Sequence, residues 1–155
     1  MKTLILFATK HGAAEEIAQR ISTELGGAVV HNLADESIPD LTGFDSVIIG
    51  SSIYAGSIRK EAKNFLTQNT ALLQSKKLGL FISGMSTSEE MTPFKNNFPA
   101  ELLEAAKATG FLGGIYNPQK SGFFERLIMK AITKQSAYIS TVSDEKIKKF
   151  AENFK

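Results

Sequence analysis

A chain of 155 residues with 43% apolar and 22% charged residues can bury a real core and has the balance of an ordinary globular domain. A formal net charge of +2 is too weak for nucleic-acid binding, and no helix-turn-helix, zinc-finger or aromatic–basic strand pattern supports it. The absence of cysteine excludes disulfides, thiolate metal sites and a Cys nucleophile. No stretch nears the roughly 20 apolar residues of a membrane span. The chain enters a strand at once, without the basic and apolar regions of a signal peptide, so a cytoplasmic location is expected. No linker, repeat or low-complexity tract interrupts it, and one domain over residues 1–155 is expected.

In chain order, Leu4, Ile5, Leu6, Phe7 and Ala8 form an apolar run too short for a helix, read as a strand covered on both faces. Thr9 to Gly12 is a turn. Ile17, Ala18, Ile21 and Leu25 then recur at helical spacing, and Gly26-Gly27 ends that helix. A short strand is expected over 28–33, followed by a loop with Pro39 and Gly43. A second buried strand over 44–50 carries Val47, Ile48 and Ile49 and stops at Gly50-Ser51-Ser52. A helix starting at Ser57 or Arg59 places Ala62, Phe65, Leu66 and Leu73 on one side. The next strand, 77–83, ends at Ser83-Gly84, and a polar loop with Pro93 runs over 85–97. A helix over about 99–109 is closed by Gly110, a fifth strand covers 111–116, and a helix is expected over 121–134. Ser143 or Asp144 caps a last helix ending at Phe154. Alternation of helices with buried strands predicts an α/β fold, a parallel sheet with helices on both faces.

Three of these strands end in small polar residues: Thr9, Ser51-Ser52, and Ser83-Gly84-Met85-Ser86. In doubly wound sheets ligands bind outside the carboxyl ends of the strands, where strand order reverses. A strand that feeds a helix through a hydroxyl- and Gly-containing turn aims backbone N–H groups, at the positive end of the helix dipole, toward an anion. The first turn is therefore the candidate phosphate site.

The strand–Thr9-Lys10-His11-Gly12-Ala13-Ala14–helix segment resembles the phosphate loop of flavodoxins, Ser/Thr-x-x-Gly-x-Thr. Gly50-Ser51-Ser52-Ile53-Tyr54-Ala55-Gly56 resembles that family's second loop, whose aromatic residue stacks on the isoalloxazine ring. The resemblance covers essentially the whole chain. Within the family it is nearest to the flavodoxin-like protoporphyrinogen oxidases that pass electrons to menaquinone. Met1-Lys2-Thr3-Leu4-Ile5-Leu6-Phe7, Ile49-Gly50-Ser51-Ser52-Ile53, and Tyr116-Asn117-Pro118 leading into Phe124-Glu125-Arg126-Leu127-Ile128-Met129-Lys130 carry that likeness.

The resemblance implies a flavodoxin-like three-layer sandwich whose five-stranded parallel sheet has the order 2-1-3-4-5. It implies flavin mononucleotide (FMN) as cofactor. The residues it points to are Thr9, Lys10, His11, Gly12, Ala13 and Ala14 at the phosphate; Ser51, Ser52, Ile53, Tyr54, Ala55 and Gly56 on one side of the ring; and Ser83, Gly84, Met85 and Ser86 on the other. Ala55-Gly56 stands where flavodoxins turn a backbone carbonyl toward the reduced flavin. Ala14 replaces the final Thr of the phosphate loop and Ala13 precedes it, so backbone N–H groups carry more of the phosphate. Each missing hydrogen bond to the phosphate costs about 1.5–3 kcal/mol, which implies weaker flavin binding than the family norm.

Two functions follow from the likeness. One is an FMN-dependent oxidoreductase of the protoporphyrinogen-oxidase or quinone-reductase kind, exchanging electrons with a small-molecule substrate and a quinone. The other is an electron shuttle docking on redox protein partners. In either case the flavin carries the electrons, and no side chain stands out as acid, base or nucleophile. Flavodoxin shuttles are strongly acidic around the flavin, whereas this chain is mildly basic, which favours the enzyme. The expected helix over 121–134 also exceeds a minimal short flavodoxin. Its Phe123, Phe124, Leu127, Ile128, Ala131 and Ile132 make a wide apolar face beside Arg126, Lys130 and Lys134. That face reads either as core packing or as a peripheral contact with the inner face of a membrane.

Other classes lack their residues. Receiver domains need clustered acids where Thr9 and Gly50-Ser51 stand. No Gly-x4-Gly-Lys-Ser/Thr, Gly-x-Gly-x-x-Gly or Gly-x-Ser-x-Gly motif is present. His11 and His31 are too few to argue a metal site.

Overall fold

Six consecutive buried residues, Thr3–Ala8, form β1. In a strand alternate side chains leave by opposite faces. Leu4, Leu6 and Ala8 accordingly enter one apolar cluster, and Ile5 and Phe7 another. The computed structural model describes residues 2–85, 89–116 and 139–155.

Parallel strands β2 (Val29–Asn32) and β3 (Ser46–Tyr54) flank β1. A two-residue strand β4 (Ser57–Ile58) folds back antiparallel on the end of β3. Beyond β3 lie the parallel strands β5 (Lys77–Ser83) and β6 (Ala106–Phe111). The six-stranded sheet thus has the order β2-β1-β3-β5-β6, with β4 off the path. The parallel strands follow the expected 2-1-3-4-5 order, and β4 is the addition.

Helix α1 (Ala13–Glu24) and the last helix (Asp144–Phe154) cover one face, burying Ala14, Ile17 and Ile21 against Phe81, Phe150 and Phe154. Helices α2 (Lys60–Gln68), α3 (Thr70–Gln74), α4 (Met91–Asn97) and α5 (Ala100–Ala105) cover the other through Ala62, Leu66, Leu73, Phe94 and Leu102. This three-layer arrangement is the flavodoxin-like α/β sandwich. Among the described residues no helix is long and apolar enough to cross a membrane.

Several boundaries differ from the sequence expectation. The second buried strand continues through Ser51 and Ser52 to Tyr54, because β5 runs alongside to Ser83 and pairs with them. The following helix begins at Lys60 and breaks at Asn69, whose φ of −124° leaves the helical region. Asn69 Nδ2 donates to the Phe65 carbonyl at 2.9 Å, an alternative to the helix ladder. Residues 91–97 form a helix and not a loop. Pro93 lies in its first turn, where a missing N–H is tolerated, and buried Phe94 stacks on Phe98 with centroids 5.5 Å apart.

Strand β6 takes residues 106–109, where the end of a helix is expected. The alanine-rich segment has helical propensity, but the open edge of β5 offers a ladder that wins. The expected strand 111–116 is correspondingly displaced. Its end, β7 (Ile115–Tyr116), pairs antiparallel with β8 (Ile139–Ser140) outside the main sheet. The last helix begins where expected, with Ser143 Oγ accepting the Lys146 N–H at 3.2 Å. The expected helix over 121–134 lies outside the described residues.

Candidate functional site

Strand order reverses between β1 and β3, since β2 lies on one side and β5 and β6 on the other. At the carboxyl ends of these strands opens a crevice lined by residues of all three strand-end turns.

The first wall is the turn between β1 and α1. Gly12 is the N-cap of α1 with φ 89° and ψ −4°, a left-handed conformation that glycine adopts without a Cβ penalty. Its N–H donates to Thr9 Oγ1 at 2.9 Å, which closes the turn. No side chain caps α1, so its first-turn N–H groups have no side-chain acceptor. Glu16 in that first turn is paired with Arg20, which also holds Asp144 at 2.7 Å, so its carboxylate is turned to the α1–last helix seam.

The second wall is the end of β3. Ser51 and Ser52 face opposite ways, as strand neighbours must. Ser51 is fully buried, donates to the Ser52 carbonyl at 2.8 Å and accepts the Arg59 N–H at 2.9 Å, tying β3 to the start of α2. Ser52 lines the crevice, and its buried Oγ has no partner among the described residues. The chain then makes a two-residue hairpin, with Tyr54 opposite Ser57. Ala55 has φ 50° and Gly56 φ 82°, positive at both central positions as in a type I′ turn. Tyr54 is 37% exposed at the rim, and Lys10 Nζ stands 3.9 Å from its ring centroid.

The third wall follows β5. Ser83 Oγ is buried and also without a partner among the described residues. Gly84 donates its N–H to the Gly113 carbonyl at 3.0 Å. A Cβ on Gly84 would meet Ile53 Cγ2 at 2.5 Å, and one on Gly114 would meet the Gly84 carbonyl carbon at 2.6 Å. Only two glycines let these backbones abut, and that contact brings β7 to the crevice. Tyr116 is 1% exposed there, its hydroxyl lacks a partner among the described residues, and its ring meets His11 edge-on at 6.1 Å.

Of the residues expected at the site, Lys10, His11, Ala13, Ser52, Ile53, Tyr54, Ser83, Gly84 and Met85 line the crevice. Thr9, Gly12 and Ser51 shape the turns behind it, and Ala14 is buried in the core beneath α1. Ala55 and Gly56 form the hairpin tip, with Gly56 bordering a neighbouring depression beside Thr92 and Pro93. Ser86 lies outside the described residues. Sequence reasoning places Gly114, Ile115 and Tyr116 in a strand and misses them as wall residues. The signal was the Gly113-Gly114 pair, a backbone needing close approach, followed at once by apolar Ile115 and Tyr116. The described lining contains the cation Lys10 and no carboxylate.

Three buried hydroxyls without partners among the described residues, an uncapped helix N-terminus and an aromatic rim at one switch point fit a polar, anionic, planar ligand. Fold and crevice together define an FMN-binding flavoprotein of the α/β class. The flavodoxin-domain family model matches residues 4–143, and the chain belongs to that family.

Among curated relatives, protoporphyrinogen IX dehydrogenase [quinone] of Escherichia coli K12 is 27% identical over 146 residues, covering 88% of this chain and 81% of the relative. Among solved structures, the flavodoxin of Streptococcus pneumoniae TIGR4 superposes with TM-score 0.63 at 17% identity, over 99% of this chain and 97% of that one. A short-chain flavodoxin associated with a PDU bacterial microcompartment gives 0.60 at 18%, over 99% and 97%. The rubredoxin oxygen:oxidoreductase of Desulfovibrio gigas gives 0.61 at 16%, over 99% of this chain but only 35% of its own length. The structural likenesses establish the fold, and the chain spans about a third of that last protein.

Proposed function

We propose that the chain is an FMN-dependent oxidoreductase that moves electrons between a small reduced substrate, of the protoporphyrinogen kind, and a quinone. FMN, when bound, supplies the electron-accepting and electron-donating chemistry. The chain's own residues position it. The N–H groups of the first turn of α1, with the Thr9 hydroxyl, would hold the phosphate. Ser52, Ser83 and Tyr116 would offer their hydroxyls to the polar edge of the ring system, and Tyr54 would cover one of its faces. Ile53, Gly84, Met85 and Ile115 would exclude water from the rest.

The observation that carries the reading is the convergence of Ser52, Ser83 and Tyr116, buried and without partners among the described residues, on one crevice. A buried hydroxyl left unpaired is destabilising by about 1–3 kcal/mol, a penalty that a polar ligand relieves. The likeness to a quinone-linked dehydrogenase over 88% of the chain supports the enzyme over the shuttle. So does a crevice lined by a lysine and no carboxylate among the described residues, where an acidic rim suits docking to basic partners. The shuttle reading draws on the partial exposure of Tyr54, 37%, which leaves the rim open to a protein partner. For the enzyme, the apolar and basic stretch over 123–134 would meet the lipid phase in which a quinone resides.

Titration of the purified protein with FMN, followed by stepwise reduction in the visible spectrum, tests the proposal. Micromolar binding with quinone-dependent oxidation of protoporphyrinogen is the expected result. Failure to bind FMN overturns the cofactor assignment. A stable one-electron reduced form with no quinone activity selects the shuttle. Flotation with anionic vesicles at low salt tests the membrane contact, and no flotation removes it.

A further inference from the structure

The hairpin that carries Tyr54 is held from outside by one side chain of α4. Asn97 Nδ2 donates to the Gly56 carbonyl at 2.9 Å, and Asn97 Oδ1 accepts the Ile58 N–H at 3.1 Å. The same amide nitrogen donates to the Pro93 carbonyl at 2.8 Å, which ties the clamp to its own helix. Both ends of the carboxamide are therefore used, and two of its bonds reach across to the hairpin.

The hairpin needs such support. Its turn has positive φ at both central residues, a geometry that favours Asn-Gly or Gly-Gly. Here the first position is Ala55 at φ 50°, the one non-glycine with positive φ among the described residues. A left-handed alanine is strained, because its Cβ crowds the following carbonyl oxygen. A two-stranded ribbon with only Ile53–Ile58 and Tyr54–Ser57 pairs has little of its own to offset that. Tyr54, which forms the crevice rim, sits at the base of this turn.

We propose that Asn97 is a positioning residue for the cofactor. Its carboxamide fixes the 54–57 hairpin, and with it the plane of Tyr54 and the direction of the Gly56 carbonyl, which is committed to Asn97. This rests on the reading that FMN occupies the crevice. Asn97 does not line the crevice; it acts through the hairpin.

The test uses Asn97→Ala, Asn97→Asp and the double variant Asn97→Ala/Ala55→Gly. In the FMN-free protein, Asn97→Ala speeds hydrogen exchange at the Ile58 amide, whereas Asn97→Asp, which keeps the acceptor, leaves that amide protected. Both single variants lose the donor to Gly56 and weaken FMN binding about tenfold, the scale of one or two hydrogen bonds. Adding Ala55→Gly removes the left-handed penalty and restores part of the affinity, a rescue that general destabilisation does not give. If wild type binds FMN and the single variants bind it equally well, or if Ala55→Gly gives no rescue, the positioning role is wrong and the cofactor reading stands. If wild type itself binds no FMN, both fall.

Discussion

Lys10 Nζ sits 3.9 Å from the ring centroid of Tyr54, so the first and second turns of the crevice meet through a cation and an aromatic face. Lys10 supplies positive charge to a lining without carboxylates among the described residues. Replacing it with alanine is expected to weaken FMN binding about two- to fivefold, the scale of a partly exposed charge interaction. The salt dependence of binding should flatten as well. Riboflavin, which lacks the phosphate, should bind the variant as it binds wild type. Fluorescence titration of both flavins at two ionic strengths checks this, and an equal loss for riboflavin would assign Lys10 to the ring instead.

Ser83→Ala and Tyr116→Phe should separate stability from binding. Each removes a buried hydroxyl that has no protein partner among the described residues. The FMN-free variants should melt at or above the wild-type temperature, because an unpaired buried polar group is lost. Their FMN affinity should fall about fivefold each, for one neutral hydrogen bond of about 1 kcal/mol. Thermal melts with and without FMN measure both; a lower FMN-free Tm with unchanged affinity would make these hydroxyls structural.

Gly50→Ala should damage the core and not the crevice. Gly50 pairs with Phe81 across β3 and β5, and a Cβ there would lie 2.0 Å from the Phe81 ring. Phe81 is fully buried against the helices of that face and has no room to retreat. Overpacking of this kind costs about 1–3 kcal/mol, measurable as a lower urea midpoint. Pairing the change with Phe81→Leu should recover part of the loss.

Ser143→Ala serves as a binding-silent contrast. Ser143 Oγ accepts the Lys146 N–H at the start of the last helix, away from the crevice. Loss of the cap should lower stability by about 1 kcal/mol. The FMN dissociation constant should stay at the wild-type value, and a change there would show that the last helix is coupled to the site.

Much of this was legible in the residues alone. Continuous burial follows from the apolar runs of β1, β3 and β5, which suit only strands covered on both faces. Gly12 and Ser143 mark helix starts by local backbone and capping chemistry, which needs no distant partner. The strand ends at Thr9, Ser52 and Ser83 pointed to the ligand edge because parallel topology places all of them on one side.

What local chemistry could not decide was every case where a distant partner outweighs it. Ala106–Phe111 is a strand because β5 presents an unpaired edge, against its helical composition. Tyr116 reaches the crevice only because Gly84 and Gly114 abut, and Asn97 reaches the hairpin only because α4 packs beside it. Propensity, caps and hydrophobic period act within a few residues, so the sequence by itself determined the strands β1, β3 and β5, the helices that begin at Ala13 and Asp144, and the ligand edge. Sheet edges, glycine-to-glycine contacts and side-chain clamps join residues far apart in the chain. Tertiary packing alone therefore decided which hydroxyls line the crevice and what holds the turn beside them.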